Sequence, residues 1–502
     1  MTTDAPAPVG TGGPSSSESS TSPTPSMTAT SAADRPRWAE LFGPELRALT
    51  VGLILLLGSN AFEIIGSATA MPAVLDDVGG VGAYGWAIAA PLVAAVLAAP
   101  FGGRLADRWG TLCPLVLTLL LFAVGLLAAA LAPSMETVAL GRFLQGLGAG
   151  GSMSLQLVII ARYVPLRLRP LMLGAISTVF IVPGLVGPTI SAAVAGSVGW
   201  RWIFGGIIPV VALCAVLLVP EIARRPPLEK GTPATAPSGP AWGPLLLAAG
   251  LGLGVVAGSA ADLRWIPVAA LGVGMAVVGA RATMPRGTWQ ARPGIPAAVA
   301  VGLAIAFAYL TMESFLPLLL RELKGLPLIL AGMPLTAAAI FWTAGAWYQA
   351  RLAPERRPRV AATGGFVSAV GLALAATLVF DAVPFWLAYP ATAIGAFGCG
   401  LAFTICQTVA VEFAPAGREG EATAGVQLAN LLGAAIGTSV TAIVIAHLDS
   451  RLPLAVGLSF LTTVVAAIVA GLLAPRLPGR RPGERPTHSP VRAVVPGPPP
   501  GA

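Results

Sequence analysis

The sequence predicts an all-α integral membrane protein that crosses the bilayer many times. Of its 502 residues, 55% are hydrophobic and only 10% are charged, whereas soluble domains carry about a quarter charged residues. Apolar runs of about 20 residues recur along the chain, the length needed to cross ~30 Å of hydrocarbon as a helix. These runs lack the alternating pattern of barrel strands. Because helices pair their own backbone amides in lipid, the runs predict transmembrane helices.

Both ends of the chain have compositions typical of disorder. Residues 1–37 are rich in Ser, Thr, Pro and Gly and have no apolar stretch, so we expect a disordered tail and not a signal peptide. Residues 476–502 are rich in Pro and Arg and predict a second disordered tail.

Fourteen apolar spans lie between the tails, in a six, two, six arrangement. The first group, within 46–220, comprises 46–72, 83–105, 112–132, 135–161, 168–196 and 202–220. A linker, 221–294, holds a polar loop (221–240) and the two Gly-rich spans 242–260 and 265–281. The last group, within 295–475, comprises 295–320, 327–350, 359–380, 384–411, 422–447 and 453–475. Two groups of six with Gly- and Pro-interrupted spans predict internal repeats around a central site.

The distribution of basic residues predicts the orientation of these spans. With the N-terminus inside, 24 of the 30 Lys and Arg residues fall on the cytoplasmic side, 5 fall on the opposite side, and Arg142 lies within a span. This asymmetry follows the positive-inside rule and predicts that both termini are cytoplasmic. The basic charge therefore follows membrane topology and does not indicate a nucleic acid partner.

Other residue patterns narrow the function further. The four cysteines lie in or beside apolar spans without metal-ligand spacing, and the two histidines are far apart, so we expect no metal site. No G-x-x-x-x-G-K-[ST] loop occurs, which argues against an ATP-driven pump. We expect no cofactor other than protons as a coupling ion.

The loop after the second span reads G-R-L-A-D-R-W-G. Glycine allows close helix approach, an acidic side chain can face a helix N-terminus, and arginines anchor at the inner interface. This loop resembles the signature loop of the major facilitator superfamily, where the resemblance implies a conformational gate. Its usual basic continuation is replaced by Thr111-Leu112-Cys113. The gating residues so implied are Gly103, Arg104, Asp107, Arg108 and Gly110.

Three further segments carry the same resemblance. The fourth span contains Gly141-Arg142-Phe143-Leu144-Gln145-Gly146, which matches the family's R-x-x-Q-G motif. The fifth contains Pro183 to Pro188, similar to the motif of proton-driven exporters, with Gly184, Gly187 and Pro188 as its key positions. The run 199–204, G-W-R-W-I-F, resembles a hallmark of the 14-helix drug:proton antiporters. The resemblance covers about residues 45–475 and implies two six-helix bundles plus two extra central transmembrane helices.

Three ionisable residues stand out because they lie well inside the predicted spans: Glu63, Arg142 and Glu313. An ionisable group in a span costs a few kcal/mol on insertion scales, so each is a candidate for proton or substrate coupling. Counting ~1.5 Å per residue from the outer helix ends places all three roughly 10–13 Å deep. Burial favours the neutral form of a carboxyl group, and release of its proton restores a site for a cation.

Each candidate also has a structural interpretation. Glu63 and Arg142 can form a fixed pair that only stabilises packing, and Glu313 can be hydrated near the outer surface. Asp107 is better explained as a conformational latch than as a substrate ligand, and Glu412 as an interfacial residue. Several polar residues can line a cavity or form interhelical hydrogen bonds. These are Asn60, Gln145, Gln156, Gln407 and Asn430.

We therefore expect a monomeric transporter in a bacterial plasma membrane, exporting small amphipathic compounds in exchange for protons. The alternative within transport is a carrier of a single metabolite or lipid, because direction and substrate are poorly fixed by these motifs. A membrane enzyme would need a catalytic cluster at one membrane face, and a passive channel would not need embedded acids. The sequence favours neither.

Overall fold

The computed structural model describes residues 38–179, 181–225, 240, 242–258, 260, 263–414, 419–448 and 451–479. Residues 1–37, residues 480–502 and most of the polar loop 221–240 lie outside the described residues, and so do the predictions made for them. Within the described residues the regular elements are α-helices and short 3-10 helices, with no strand. The all-α prediction is confirmed.

The helices follow one another along the chain with short connections. From the N-terminal side they are α1 (Trp38–Leu41), α2 (Arg47–Val78), α3 (Val81–Trp109), α4 (Leu112–Ala130), α5 (Met135–Tyr163), α6 (Arg169–Val179), α7 (Ile181–Ser197), α8 (Arg201–Gly205) and α9 (Ile208–Arg224). The linker holds α10 (Trp242–Gly258) and α11 (Ile266–Thr283). The remainder are α12 (Ile295–Glu322), α13 (Leu328–Ala350), α14 (Arg357–Thr377), α15 (Ala388–Phe413), α16 (Glu419–His447) and α17 (Leu452–Leu473).

Helices occupy all fourteen places where the sequence predicts spans. By length and composition, 12 helical segments of the described chain are long and apolar enough to cross a membrane, while Val182–Ser197 and Trp242–Gly258 are shorter. The exact count of fourteen spans therefore stays a prediction. Helix α2, which corresponds to the first predicted span, ends at Val78 and not at Pro72. Proline removes only one backbone hydrogen bond, and tight packing in membrane bundles tolerates it within a helix.

Two ends of the helical assembly are distinguished below by the predicted orientation. The outer end carries the loop 79–80 between α2 and α3 and the loop 323–327 between α12 and α13. The inner end carries the signature loop after α3 and the start of α12.

Glycines bring α5 against two neighbours at once. A Cβ at Gly146 or Gly150 would overlap the backbone of α3 at Pro91 or Ala95. A Cβ at Gly148 would overlap the backbone of α4. Small residues at membrane helix interfaces allow this close approach and the dispersion contacts that stabilise it. Gly146, the glycine of the R-x-x-Q-G segment, thus fixes α5 against α3.

Each half of the chain packs mainly among its own helices. In the described part of the chain, four helix pairs make the main contacts between the halves. In the first half α5 packs on α3 and α4, and α2 packs on α7 and α9. In the second half α15 packs on α13 and α14, and α12 packs on α16 and α17. The halves meet where α3 contacts α16, α7 contacts α13, and α2 contacts both α12 and α13.

The linker helices form a hairpin beside this junction. Gly250 and Gly279 bring α10 and α11 into backbone contact, since a Cβ at either would overlap the partner helix. Helix α10 also contacts α3 of the first half and α16 of the second. Gly252 faces the Trp86 ring and Gly258 faces Ile443. The hairpin thus packs against both halves.

Candidate functional site

Helices α2 and α5 bring the two predicted charges of the first half together. Glu63 is 2% exposed and Arg142 is 4% exposed, and their carboxylate and guanidinium form an ion pair. The guanidinium also donates from Nε to the Ala87 carbonyl at 3.4 Å and from Nη1 to Gln145 Oε1 at 3.1 Å. Because both groups are nearly inaccessible, the pair neutralises two charges that would each be costly to bury alone.

The predicted polar residues of this half lie between helices. Gln145 is fully buried, and its Nε2 donates to the Gly125 carbonyl of α4 at 3.2 Å. Asn60 Nδ2 donates to Ser152 Oγ at 3.0 Å, which ties α2 to α5. Gln156 is 2% exposed, and its Nε2 has no hydrogen-bond partner among the described residues. In this conformation these side chains connect helices around the Glu63–Arg142 pair.

The acid of the second half has different surroundings. Glu313 is half-buried in α12, and among the residues that the structure describes it makes no ion pair. Tyr309 lies one turn earlier on the same helix and is 1% exposed. Helix α12 packs against α2, α13, α15, α16 and α17, so it is a central helix of the assembly. Glu313 is therefore a half-buried carboxylate on a central helix, with no ion-pair partner in the part of the chain that the structure describes.

Two more predicted residues of the second half lie closer to the inner end. Gln407 of α15 donates from Nε2 to Gln427 Oε1 of α16 at 2.9 Å. Asn430 is half-buried one turn further along α16. Both amides therefore lie nearer the inner end of the second half than Glu313 does.

The signature loop is fixed to α5 by an arginine. Arg162 Nη2 donates to Asp107 Oδ1 at 2.5 Å, and its Nη1 donates to the Ala106 carbonyl at 3.0 Å and to Thr111 Oγ1 at 3.2 Å. The guanidinium thus closes the end of α3, where orphan carbonyls are unpaired by the helix itself. Gly110 ends α3 with φ 77°, a conformation that favours glycine.

The other residues of the loop differ in their surroundings. Arg104 stacks over the Phe101 ring at 5.9 Å, and Arg108 is exposed. A Cβ at Gly103 would be 3.9 Å from Val158, so this glycine has room. The tight position is Gly102, where a Cβ would overlap the Gly151 carbonyl of α5. Gly102 lies one residue before the signature loop as the sequence defines it, from Gly103 to Gly110.

The inner end of the second half has a similar tie. Arg357, at the start of α14, forms an ion pair with Glu412 at the end of α15. The basic loop 351–359 contains no residue matching Asp107, and the acid comes from another helix.

The segment resembling the antiporter motif lies at the junction of the halves. A Cβ at Gly184 would be 2.8 Å from Ala339 of α13, and one at Gly187 would be 3.5 Å from Ile65 of α2. Pro188 lies beside Gly332 of α13. These small residues allow α7 to contact α2 and α13 closely.

Ion pairs at the outer end were not expected from the sequence. Asp76 of α2 pairs with Arg321 of α12, with Arg321 Nε 2.9 Å from Asp76 Oδ2, and so joins the two halves. Asp77 accepts from Arg201 Nη1 at 2.7 Å and from Trp200 Nε1 at 3.1 Å. The Arg201 guanidinium lies 4.4 Å from the Trp200 ring centroid. In the sequence, the sign of these pairs is the two adjacent acids, Asp76 and Asp77, shortly after the first predicted span.

Three tryptophans of the second half differ in their surroundings. Trp347 is 65% exposed and Trp386 is 57% exposed on the periphery. Trp342 instead packs between Tyr309 and Phe403, with ring centroids 5.6 and 5.9 Å apart. Trp342 thus contacts a ring of α12, the helix that carries Glu313.

Comparison with known proteins gives a family match and several relatives. The model of the Major Facilitator Superfamily matches residues 51–438 and 355–499. A dehydrocurvularin exporter of Alternaria cinerariae is 34% identical over 197 residues, which is 38% of this chain and 33% of that protein. The chain thus spans about a third of that relative's length.

A second relative is matched over most of its length. A Mycobacterium tuberculosis protein named "Probable multidrug-efflux transporter" is 28% identical over 446 residues, covering 84% of this chain and 91% of that protein. Among solved structures, an auto-inhibited POT family peptide transporter superposes with a TM-score of 0.64 at 16% identity, covering 87% of this chain and 99% of that one. At this identity the structural match shows the fold alone.

Proposed function

Since the chain belongs to the major facilitator superfamily, we propose that it is a proton-coupled transporter that exports small amphipathic compounds by alternating access. The observation that carries this proposal is Glu313, a half-buried carboxylate in a central helix with no ion-pair partner among the described residues. A carboxylate kept without a countercharge at such a place is costly, and ionisable groups there mark substrate or proton pathways.

The chemistry of coupling follows from this single group. A protonated Glu313 is neutral, and a deprotonated Glu313 attracts a cation. If a proton and a cationic substrate compete for the same carboxylate, binding of one releases the other, and each crosses the membrane on a different half of the cycle. One charge moved across 100 mV supplies ~2.3 kcal/mol, and one pH unit adds ~1.36 kcal/mol per proton.

Glu63 and Arg142 take part in the proposal as a pair. Protonation of Glu63 would leave the Arg142 guanidinium buried and uncompensated, which costs about 3–5 kcal/mol when a buried pair is broken. The pair is therefore a second place where a proton would change the packing of α2 on α5. Glu313, which needs no pair to be broken, is proposed as the primary proton and substrate site.

The contacts between halves support alternating access. The described contacts that join α3 to α16, α2 to α13 and α2 to α12 include Gly85 against Ala442, Gly332 against Thr69, and Asp76 with Arg321. All three lie toward the outer end. An assembly held together at its outer end represents the inward-facing half of such a cycle, in which one bundle rocks against the other.

Membrane placement and direction belong to the same proposal. The protein is a multi-pass membrane protein, and we propose a bacterial plasma membrane, both termini in the cytoplasm, and a monomer. Relatives named as a multidrug-efflux transporter and as an exporter of one compound both support outward transport. The second name also favours the alternative of a single dedicated substrate.

The test uses everted membrane vesicles energised to a fixed pH gradient. Ethidium and tetraphenylphosphonium are added to vesicles with wild type, Glu313→Gln, Glu63→Gln or the control Glu322→Gln at matched expression. Glu322 is exposed at the end of the same helix. We expect a cation to reduce the gradient with wild type and Glu322→Gln, but not with Glu313→Gln.

Two results would count against the proposal. If Glu313→Gln responds as wild type does, Glu313 is not the coupling site. If no cation reduces the gradient in any vesicle, a dedicated metabolite or lipid becomes the better substrate class.

A further inference from the structure

A cavity of about 200 Å³ lies between the two halves at the outer end. From the first half, Leu75 of α2 and Val81 of α3 line it. From the second half, it is lined by Leu318 of α12, Ile445 of α16 and Leu452 of α17. Because both halves contribute walls, the cavity has this form only while the outer end is closed. It is called the outer cavity below.

Direct contacts between the halves lie beside the outer cavity. The ion pair of Asp76 and Arg321 joins α2 to α12, and a neighbour in sequence of each residue lines the cavity. Gly85 of α3 meets Ala442 of α16, where a Cβ on the glycine would be 2.4 Å from the Ala442 Cα. Tyr84, the residue before this glycine, also lines the cavity. The walls are therefore held together by contacts that break when the halves separate.

One polar group in the buried wall lacks a partner. Tyr84 is 0% exposed, and the centroid of its ring lies 6.3 Å from that of Phe315 on α12. Its hydroxyl has no hydrogen-bond partner among the described residues. Buried hydroxyls are nearly always paired, and a phenol can donate one hydrogen bond. The wall thus offers a donor for which the described chain provides no acceptor.

The rest of the lining disfavours both water and charged ligands. A buried water needs about two to four polar partners, whereas five of the seven lining residues are aliphatic. Glu322 is the charged residue of the lining and is exposed. Its carboxylate repels anions, and an ion pair with a cation at so exposed a place is screened and weak. An uncharged molecule with an apolar body and one acceptor atom has the matching chemistry.

The size of the outer cavity sets the size of such a molecule. An apolar protein cavity of about 150 Å³ admits benzene, so a cavity of about 200 Å³ has room for one substituted ring. We propose that the outer cavity is a binding site for small uncharged aromatic molecules with one hydrogen-bond acceptor. The Tyr84 hydroxyl donates to that acceptor, and the aliphatic side chains of both halves enclose the ring.

A molecule in the outer cavity contacts both halves at once. Its contacts with one half are lost when the outer end opens, so it binds the closed form more tightly and shifts the protein toward that form. Glu313 is not among the lining residues. Resting on the alternating access proposed above, the bound molecule therefore inhibits transport from a place apart from the proposed coupling site.

The first measurement is the protection of single cysteines in the full chain in lipid nanodiscs, with the exposed Cys113 replaced by Ser. Leu452→Cys and Val81→Cys place a thiol on either side of the outer cavity. Leu454→Cys is the matched control, because Leu454 is two residues further along α17, is 46% exposed and is not a lining residue. The rate of modification by methyl methanethiosulfonate is followed with increasing acetophenone. The comparison compound is isopropenylbenzene, in which a CH₂ group replaces the ketone oxygen at nearly the same shape.

We expect acetophenone at about ten times its Kd to slow modification of Leu452→Cys and Val81→Cys by about tenfold, and not to slow that of Leu454→Cys. Isopropenylbenzene should have a Kd about 3- to 10-fold higher, because it cannot accept the hydrogen bond. In Tyr84→Phe the two compounds should protect equally. This variant keeps the ring and removes a hydroxyl that has no partner among the described residues, so we expect it to fold.

Several results would overturn the site. Equal protection by the two compounds in the chain with Tyr84 shows that its hydroxyl recognises no acceptor, and this comparison needs no Tyr84 variant. Equal protection of Leu454→Cys shows partition into lipid, and protection of only one cavity cysteine shows that the ligand does not bridge the halves. Absence of protection up to the solubility of acetophenone, or stronger protection by 1-phenylethylammonium, also contradicts the proposal.

The second measurement returns to the cation-induced loss of the pH gradient in everted vesicles. Acetophenone is uncharged and crosses the membrane to the outer end, and at ten times its Kd it should slow this loss by about tenfold. Isopropenylbenzene at the same concentration should slow it less. Protection without inhibition overturns the link between the site and opening of the outer end. If no cation reduces the gradient, the proposed function fails, and cysteine protection still decides whether the site exists.

Discussion

At the scale of single residues, Glu63 and Glu313 differ in what faces their carboxylates. Glu63 is paired with Arg142 and is nearly inaccessible, whereas Glu313 is half-buried on α12 and has no ion-pair partner among the described residues. A paired buried acid resists any change of charge because its partner would be left alone. An unpaired acid changes charge with less structural consequence, which suits a group that exchanges ions.

Removing one member of the buried pair should destabilise the protein. We expect Glu63→Gln to lower stability by about 3–5 kcal/mol, because the Arg142 guanidinium would remain buried without a countercharge. The double variant Glu63→Leu with Arg142→Leu should recover most of this loss. The measurement is the apparent Tm of the purified protein. A single variant as stable as wild type would show that water reaches Arg142.

Much of the residue-scale account could be predicted from the sequence, and part of it could not. The embedded charges can be recognised in the sequence because they interrupt apolar runs. A pair between Glu63 and Arg142 is one of the arrangements that the sequence allows. The ring contacts of Trp342 with Tyr309 and Phe403 could not be predicted, since the three residues come from three separate helices. Each of them alone has the pattern of ordinary packing. Only tertiary structure shows which aromatic side chains meet.

At the scale of helices, close contacts are set by glycines whose neighbours are backbone atoms. Gly102 of α3 faces the Gly151 carbonyl of α5, whereas a Cβ at Gly103, the next residue, would be at an ordinary contact distance of 3.9 Å from Val158. The two glycines are adjacent in sequence but differ in what a side chain would meet. Their comparison tests whether helix approach or conformational freedom explains the glycines of the signature loop.

We expect Gly102→Ala to destabilise the protein by about 1–3 kcal/mol, because α3 and α5 must move apart to admit the methyl group. Gly103→Ala should be neutral or stabilising by up to ~1 kcal/mol, since alanine favours the helix. Apparent Tm values of the two variants provide the measurement. Equal losses in both would mean that the loop needs glycine flexibility and not space.

The outer ion pair between α2 and α12 provides a second test at this scale. Asp76 and Arg321 have side chains that are 43% and 31% exposed, so the pair contributes no more than ~1 kcal/mol. We expect Asp76→Asn to shift the protein toward an open outer end by up to ~5-fold. Spin labels at Val81→Cys and Leu454→Cys, both exposed at that end, would report longer distances.

A charge swap is the control for that shift. Asp76→Arg combined with Arg321→Asp keeps an ion pair at the same place and should restore the wild-type distances. If Asp76→Asn leaves the distance distribution unchanged, the pair does not hold the outer end closed.

At the scale of the whole molecule, the fold follows from properties that hydropathy records directly. The predicted spans coincide with helices because a 20-residue apolar run has no stable alternative in lipid. The two helices shorter than a full span are Trp242–Gly258, in the predicted span 242–260, and Val182–Ser197, in the fifth predicted span. Glycine and proline are abundant there, and they lower helix propensity without preventing helices that tertiary contacts support.

Packing between the halves could not be derived from hydropathy, because it depends on which helix faces are small. The linker hairpin contacts both α3 and α16, so it spans the junction that the proposed alternating access would open and close. Its position suits a brace for this junction, and the predicted repeats on either side suit two bundles that move against each other.

The central claim is that a proton and a cation compete for Glu313, and the most direct measurement is the pH dependence of cation affinity. The Kd of ethidium for the full chain in nanodiscs would be measured between pH 6 and pH 8.5, for wild type and Glu313→Gln. We predict that the wild-type Kd rises as pH falls, by as much as about tenfold per pH unit for one competing proton. The Glu313→Gln Kd should be high and independent of pH. A wild-type Kd that does not change with pH, or a Glu313→Gln variant that keeps the wild-type dependence, would contradict the claim.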